Sequence, residues 1–548
     1  MKTYILNILA LSAIVFTSCH SLDVTNPNKL TDEEVTEILE GDDDAAKDLI
    51  ISGVGNTLNT NFNIAGQSWS GYSDMNMNSQ VDQDFLMCMR GNDALIGTEA
   101  TATSTHATAY KIDAEATYRL SRVTWPYFAM GGAQLTAANK VLRFMTADAA
   151  KTSKKIARFR GQALALRGYA YIQLMERFQP AYMQGGKDGK GMPIYKTSGL
   201  NTPAPISSAV ATYDFILTDL KEAVELLAEA GADDADKGYT AVTDDIDLGV
   251  AQFLLARAAL QAGEWTTAKT AAQDIVDHFP TLIAEANYGA KAGDLNAYCT
   301  GTKDLKAENN AFQTLENNPE VIMGFVNGSN ANTWMNSYAN VFAPGYAGYS
   351  QEAPCIDNRL YEKLDNNDFR KDCFTTDEGS YTYITDDAGT KIYTRTIPKY
   401  ANLKWAATIA KGRSARTNHM ECDNVIFRAS EAYLMLAEAQ AQDGKDVDAK
   451  ATLDLLLKAR TKAGQPTLTC ANYSGMSGMT ALQMVQFQTR VELWLEGGRE
   501  FYNNKRWGIT VDRSSSTNHY WKTGTLSLDQ MVLDIPVDER QTNTHWAD

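Results

Sequence analysis

The chain is poor in the residues that usually announce a chemistry. Its six histidines are scattered, and neither an HExxH pair nor a Cys/His cluster occurs, so the sequence offers no basis for a metal site. GxSxG, a Walker phosphate loop and a dinucleotide fingerprint are all missing, and no cofactor is expected. There is no CxxC, and the seven cysteines lie too far apart to form a disulfide scaffold. No Lys/Arg-rich run relieves a formal net charge of -17, which repels phosphate backbones and argues against nucleic acid as a partner. Beyond the N-terminus no apolar stretch reaches the roughly 20 residues that a spanning helix needs.

What the sequence does have begins at its start. Lys2, the apolar run Tyr4 to Phe16, then Thr17, Ser18 and Cys19 read as a secretory signal over residues 1–18, with Cys19 as the lipidated first residue of the mature protein. An ordinary cleaved signal with an incidental cysteine is the alternative. Residues 19–29, with Asn26-Pro27-Asn28, fit an extended tether. The other six cysteines, Cys88, Cys299, Cys355, Cys373, Cys422 and Cys470, are read as isolated packing residues.

The full chain of 548 residues is 44% hydrophobic and 21% charged, so the remainder, 30–548, read as a single domain, has ample apolar surface to bury a core. Apolar residues at three- and four-residue spacing predict helices over 137–145, 156–178, 210–227, 248–262, 266–278, 430–442, 447–463 and 481–495. Two stretches repeat one design: Ala256, Gly263 and Ala268 are spaced seven and five apart, as are Ala437, Gly444 and Ala449. Small residues let two helices approach, and glycine can take the left-handed turn between them. Each stretch therefore reads as a tetratricopeptide-like helix pair. The predicted fold is mainly α, with such pairs forming a right-handed superhelical scaffold that carries long loop-rich insertions and a few short strands. Polar and aromatic insertions are expected at 67–97, 185–205, 288–310, 327–354 and 377–420.

Six motifs then fall in order. They are Trp125-Pro126-Tyr127 with Ala138-Asn139; Ala163 to Tyr171 with Leu174, running on to Gly191-Met192-Pro193-Ile194; Ala251 to Ala268; Phe427 to Ala439; Arg490 to Phe501 with Lys505-Arg506-Trp507-Gly508; and Leu533 to Glu539 with Asn543. Together, behind a lipoprotein-like signal, they resemble the SusD/RagB family of outer-membrane nutrient-binding lipoproteins over nearly the whole mature chain. The aspartate-leucine usual before the last arginine is replaced around Asn503-Asn504, which marks a divergent branch. Arg499, Arg506, Glu492 and Glu496 are expected to pair within the scaffold rather than to touch a ligand.

Sugar recognition needs flat aromatic faces bordered by hydrogen-bonding side chains. Two insertions have that composition: 67–97, with Trp69, Tyr72, Asp74 and Asn76, and 327–354, with Trp334, Asn336, Tyr338, Tyr346 and Tyr349. The resemblance implies that the family's ligand surface is built from loops in these two regions. Anchoring of Trp69 and Trp334 onto the helical body is the competing reading. The resemblance also implies a lipid-anchored, surface-facing protein of the cell outer membrane that hands glycan to a SusC-like, TonB-dependent transporter. It is thus read as a receptor and not an enzyme. A peptide receptor of the same fold, a surface glycoside hydrolase and a purely structural scaffold remain alternatives.

Overall fold

In the computed structural model the described residues are 30–60, 62, 80–96, 117, 121, 133–196, 203–231, 238–240, 243–293, 309–326, 354–384, 392–406, 423–519 and 525–547. Their longer helices are α1 (Asp32–Glu40), α2 (Asp44–Gly55), α3 (Gln80–Met89), α4 (Ala133–Phe144), α5 (Lys154–Phe178), α6 (Ala209–Ala230), α7 (Leu248–Ala262), α8 (Trp265–His278), α9 (Ala429–Gln442), α10 (Asp446–Ala459), α11 (Ala481–Glu492) and α12 (Arg499–Trp507). The strands are short and pair two by two: β1 (Ala94–Ile96) with β5 (Pro354–Ile356), β2 (Lys190–Pro193) with β3 (Ile206–Ser208), β4 (Val321–Phe325) with β8 (Asn424–Arg428), β6 (Gly379–Ile384) with β7 (Ile392–Ile397), and β9 (Val511–Asp512) with β10 (Thr525–Leu526). The protein is mainly α, as its periodicity predicts, and each of the eight predicted segments is a helix, α4 to α11.

Helices start where a side chain can satisfy the first free N–H groups. Ser153, Ser208 and Asp247 cap α5, α6 and α7, and Thr480 forms a reciprocal capping box with Gln483 at α11. The two repeated stretches are helical hairpins. Gly263 ends α7 with φ 75° and α8 begins at Trp265, while Gly444 stands between α9 and α10 with φ 72°. Ala256, Ala268, Ala437 and Ala449 are all buried, so the small residues sit where helices meet. Successive hairpins also touch: α5 packs on α6, α6 on α7, α7 on α8, α8 on α9, and α9 on both α10 and α11.

Buried charge is the other organising feature. Arg167 on α5 grips Asp219 on α6 through two bonds of 2.6 and 2.9 Å and also donates to Asn139 on α4. Arg257 on α7 donates to Glu431 on α9 at 2.7 Å, with its guanidinium over the rings of Phe253 and Phe427. The four described cysteines outside the N-terminus, Cys88, Cys355, Cys373 and Cys470, are free thiols and buried, in line with a packing role; Cys299 and Cys422 lie outside the described residues.

Part of the insertion expected over 67–97 is itself folded: residues 80–96 contain α3 and β1, with Leu86, Met87, Cys88 and Met89 all buried. The polar residues Gln80, Asp82, Gln83 and Asp84 mask this helix in the sequence. Only its contacts with α12 and the rest of the body make it a core element. Similarly, 185–205 and 377–420 contain the β2 and β6–β7 strands.

Candidate functional site

The chemistry of the described residues centres on the C-terminal end of α11. Glu492, fully buried, accepts from Arg428 Nη1 at 2.6 Å, from Arg460 Nη2 at 2.8 Å and Nε at 3.0 Å, and from Arg370 Nη1 at 2.8 Å. Arg428 and Arg460 also share Glu320, at 2.9 and 2.7 Å, and Arg370 pairs with Asp368. Burial alone would raise the Glu492 pKa, but Arg460, Arg428 and Arg370 together overrule it and hold the carboxylate well below its usual range. Lys404 completes the cluster by donating to the carbonyls of Glu492 and Trp494 at 3.0 and 2.9 Å and to the Glu496 carboxylate. A cation there complements the helix C-terminus. Leu495, Gly497 and Gly498, all with positive φ, turn the chain so that Glu496 can receive Arg428 at 2.7 Å through both of its oxygens.

The other expected scaffold pairs form as well. Arg499 holds both oxygens of Glu176 at 2.8 Å, and Arg506 holds both oxygens of Glu438, which also accepts from Trp507 Nε1 at 2.8 Å. The motif residues of α9, α11 and α12 are therefore the clamps that join distant segments. Glu492, Glu320 and Glu176 are shut from solvent and saturated, so none can reach a glycosidic bond. Glu500 has the raised pKa of an acid catalyst: burial first, then Asp93, push it up to about 8 against the pull of Arg490. Yet both its oxygens accept from the Asn92 N–H at 3.0 and 3.1 Å, and a Cβ at Gly91 would lie 1.4 Å from one of them. No substrate atom fits there.

The proposed ligand residues Trp69, Tyr72, Asp74, Asn76, Trp334, Asn336, Tyr338, Tyr346 and Tyr349, and the lipidation residue Cys19, all lie outside the described residues. The structure does describe where their segments leave and rejoin the body. Phe62, which precedes the first, is buried, stacked on Tyr169 at 4.6 Å and edge-on to Phe427 of β8 at 5.6 Å. β4, which leads into the second, pairs with β8 so that Phe325 faces Asn424 and Met323 faces Phe427. The second segment returns at β5, where Pro354 pairs with Ile96, the last residue before 97.

Further hydrogen bonds tie these points into one frame. Asn402 N–H donates to the Pro354 carbonyl at 2.9 Å, and Asn310 Nδ2 donates to the carbonyls of Lys404 and Ala406 at 2.9 and 3.0 Å. Gln313 Nε2 donates to the Trp405 carbonyl at 2.7 Å, and the Asp423 N–H donates to the Gln313 carbonyl at 2.9 Å. Tyr400, held at φ 71°, receives the Ile356 N–H on its carbonyl at 3.0 Å. Such strain in a non-glycine residue persists only where surrounding bonds fix it. Sequence reasoning missed this frame because Asn310, Gln313 and Asn402 carry no motif.

A family model described as the SusD family matches residues 265–546, more than half of the chain. The chain belongs to the SusD family. A second model, described as starch-binding associating with outer membrane, matches residues 59–237 of this SusD-family chain. Among solved structures, a SusD-like carbohydrate binding protein from Bacteroides vulgatus is 22% identical, with 90% of this chain and 97% of that chain covered and a TM-score of 0.64. A SusD superfamily protein from Bacteroides thetaiotaomicron is 17% identical, covers 90% and 98%, and gives 0.58. Surface glycan-binding protein A from Bacteroides thetaiotaomicron, in complex with laminarihexaose, is 14% identical, covers 90% and 97%, and gives 0.55. These likenesses establish the SusD fold. No curated protein matches the chain.

Proposed function

We propose that this SusD-family protein is a non-catalytic receptor of the outer membrane, anchored through lipid on Cys19, that captures oligosaccharide and passes it to a SusC-like, TonB-dependent transporter. The observation that carries this reading is the shared frame. The segment that holds Trp69 to Asn76 leaves the body after Phe62, which packs on Phe427 of β8, and the segment that holds Trp334 to Tyr349 leaves it after β4, the partner of β8, and returns at β5. Aromatic and amide side chains held near one another by a rigid scaffold suit an open glycan platform. The laminarihexaose bound to a relative of the same fold supports a glycan as the ligand class, and the second family description supports the membrane.

The test is a binding screen of glycans and peptides on protein lacking residues 1–19, repeated with Trp69→Ala and Trp334→Ala. The expected result is a glycan ligand whose affinity falls at least about tenfold in each variant, the effect of losing about 1.4 kcal/mol of stacking, with melting unchanged. Unchanged affinity in both variants, or binding of peptides alone, would overturn the reading. Metabolic labelling with a palmitate analogue should mark the native protein and miss Cys19→Ser.

A further inference from the structure

β6 and β7 form a ribbon of six cross-strand pairs in unbroken register, from Gly379 opposite Ile397 to Ile384 opposite Ile392. The two strands pair only with each other, and no described helix packs along them. Residues two apart on a strand share a face with the residues directly opposite them. Tyr381, Tyr383, Tyr393 and Arg395 therefore occupy one face, with Gly379 and Ile397 at its root, while the serine and the three threonines occupy the other. Neither strand contains a carboxylate.

The root of the ribbon is tied to the place where the second aromatic segment returns. Thr375, just before β6, donates its N–H to the Ala401 carbonyl at 3.0 Å and its hydroxyl to the Pro398 carbonyl at 2.8 Å, and its own carbonyl accepts the Tyr400 N–H at 2.9 Å. The chain leaving β7 then runs beside β5, with Ala401 bridged to Cys355 between the Tyr400–Ile356 and Asn402–Pro354 bonds. Ile397 is buried, so β7 is anchored, whereas a Cβ at Gly379, directly opposite on the same face, would meet nothing within 4 Å. The tyrosine face is thus open along β6 at its root. Two half-buried rings stand beside that root, Tyr400 and Tyr361, with centroids 4.8 Å apart.

A two-stranded ribbon has little stability of its own. One aromatic pair across the ladder, Tyr383 opposite Tyr393, would suffice to brace it; Tyr381 and Arg395 exceed that need. The Cα atoms of Tyr381 and Tyr383 are about 7 Å apart along β6, and Tyr393 lies about 5 Å across from Tyr383, so the row covers more than a single sugar ring. Tyrosine brings a flat apolar face and a hydroxyl and has few rotamers to lose on binding, and a guanidinium donates to sugar oxygens. Such a surface, with no carboxylate of its own, fits a neutral oligosaccharide of several units.

We propose that the face of the β6–β7 ribbon carrying Tyr381, Tyr383, Tyr393 and Arg395 is a further contact surface for the captured glycan, set beside the return of the second aromatic segment. The assignment rests on the glycan reading above and adds the ribbon to it. The test titrates the protein lacking residues 1–19 with neutral hexasaccharides of glucose, mannose and xylose, followed by calorimetry. Tyr381→Ala and Tyr393→Ala should each weaken the best-bound hexasaccharide about three- to tenfold, the effect of losing one stacked ring, whereas Tyr393→Phe, which keeps the ring, should stay within about twofold of the native protein. Hydroxyl-radical footprinting of the native protein, which needs no variant to fold, should show the three tyrosines protected by that hexasaccharide. Failure of every hexasaccharide to bind, affinity unchanged in both alanine variants, or tyrosines equally labelled with and without ligand would overturn the proposal. Binding lost in the ribbon variants but untouched by Trp69→Ala and Trp334→Ala would uphold the ribbon and sink the aromatic-platform reading, and the reverse pattern would sink the ribbon alone, so the two failures are distinguishable.

Discussion

Replacing Glu492 by Gln tests whether the buried charge cluster holds the scaffold together. Glu492 accepts four bonds from three arginines, at 2.6 to 3.0 Å, with every partner at most 2% exposed. Gln keeps the size but removes the charge, and its amide turns a donor toward a guanidinium. Removing one member of a buried ionic cluster costs about 3–5 kcal/mol, because the remaining charges stay buried and under-compensated. At about 2.1 cal/mol/K per residue, a chain of 548 residues has an unfolding entropy of about 1.2 kcal/mol/K, so the melting temperature should fall by about 3–4 °C. Differential scanning calorimetry would read this directly, with Asp148→Asn as a control that removes the exposed ion pair with Lys151 and should leave the melt unmoved. Because the folded-state pKa of Glu492 is depressed, its contribution is present above the unfolded value and is lost as pH falls through the folded one. The difference between wild type and variant should therefore hold from about pH 8 down to about pH 5 and shrink only in stronger acid. A shift below about 1 °C at neutral pH would refute the claim that this cluster joins the segments energetically.

Two further outcomes follow from the hairpin turns and from α12. Gly263→Ala and Gly444→Ala each force a left-handed backbone on a residue with a Cβ, at about 1–2 kcal/mol; chemical denaturation should show the larger loss at Gly263, whose Cβ would meet Met183 sulfur at 2.7 Å, than at Gly444, where the space is open. Lys505 is buried, donates to the Gln179 carbonyl at 3.0 Å and to the carbonyl of Glu176, and burial lowers its pKa to about 7 against the attraction of Glu176. The folded state therefore sheds its proton before the unfolded state does, so stability should rise from about pH 7 to about pH 10, by up to about 1.4 kcal/mol per unit; Lys505→Met should abolish that slope in melts across the range, and an identical slope in both proteins would refute it.

The residues legible in the sequence were those whose pattern is local. Helices α4 to α11 follow from apolar spacing, and Gly263 and Gly444 from the need for a left-handed residue between two helices that share a short turn. The role of Arg499 and Arg506 as clamps was also legible, since an arginine in an apolar helix must find a carboxylate; which carboxylate was not, because Glu176 and Glu438 lie 323 and 68 residues away. Helix α3 was hidden by its polar first turn and becomes a core element only through its neighbours. The frame beneath the aromatic insertions was hidden too, since it consists of backbone bonds from Asn402 to Pro354 and from Asp423 to Gln313 and of side-chain bonds from Asn310 and Gln313 to backbone carbonyls, all residues of ordinary type.

By itself, then, the sequence determined the helical class, the hairpin turns and the composition of the two candidate binding segments, because propensity, periodicity and side-chain chemistry act over a few residues. Tertiary structure alone decided which charges meet and that the entry points of the two insertions converge on β8. Those arrangements depend on contacts between segments hundreds of residues apart, whose geometry no local pattern encodes.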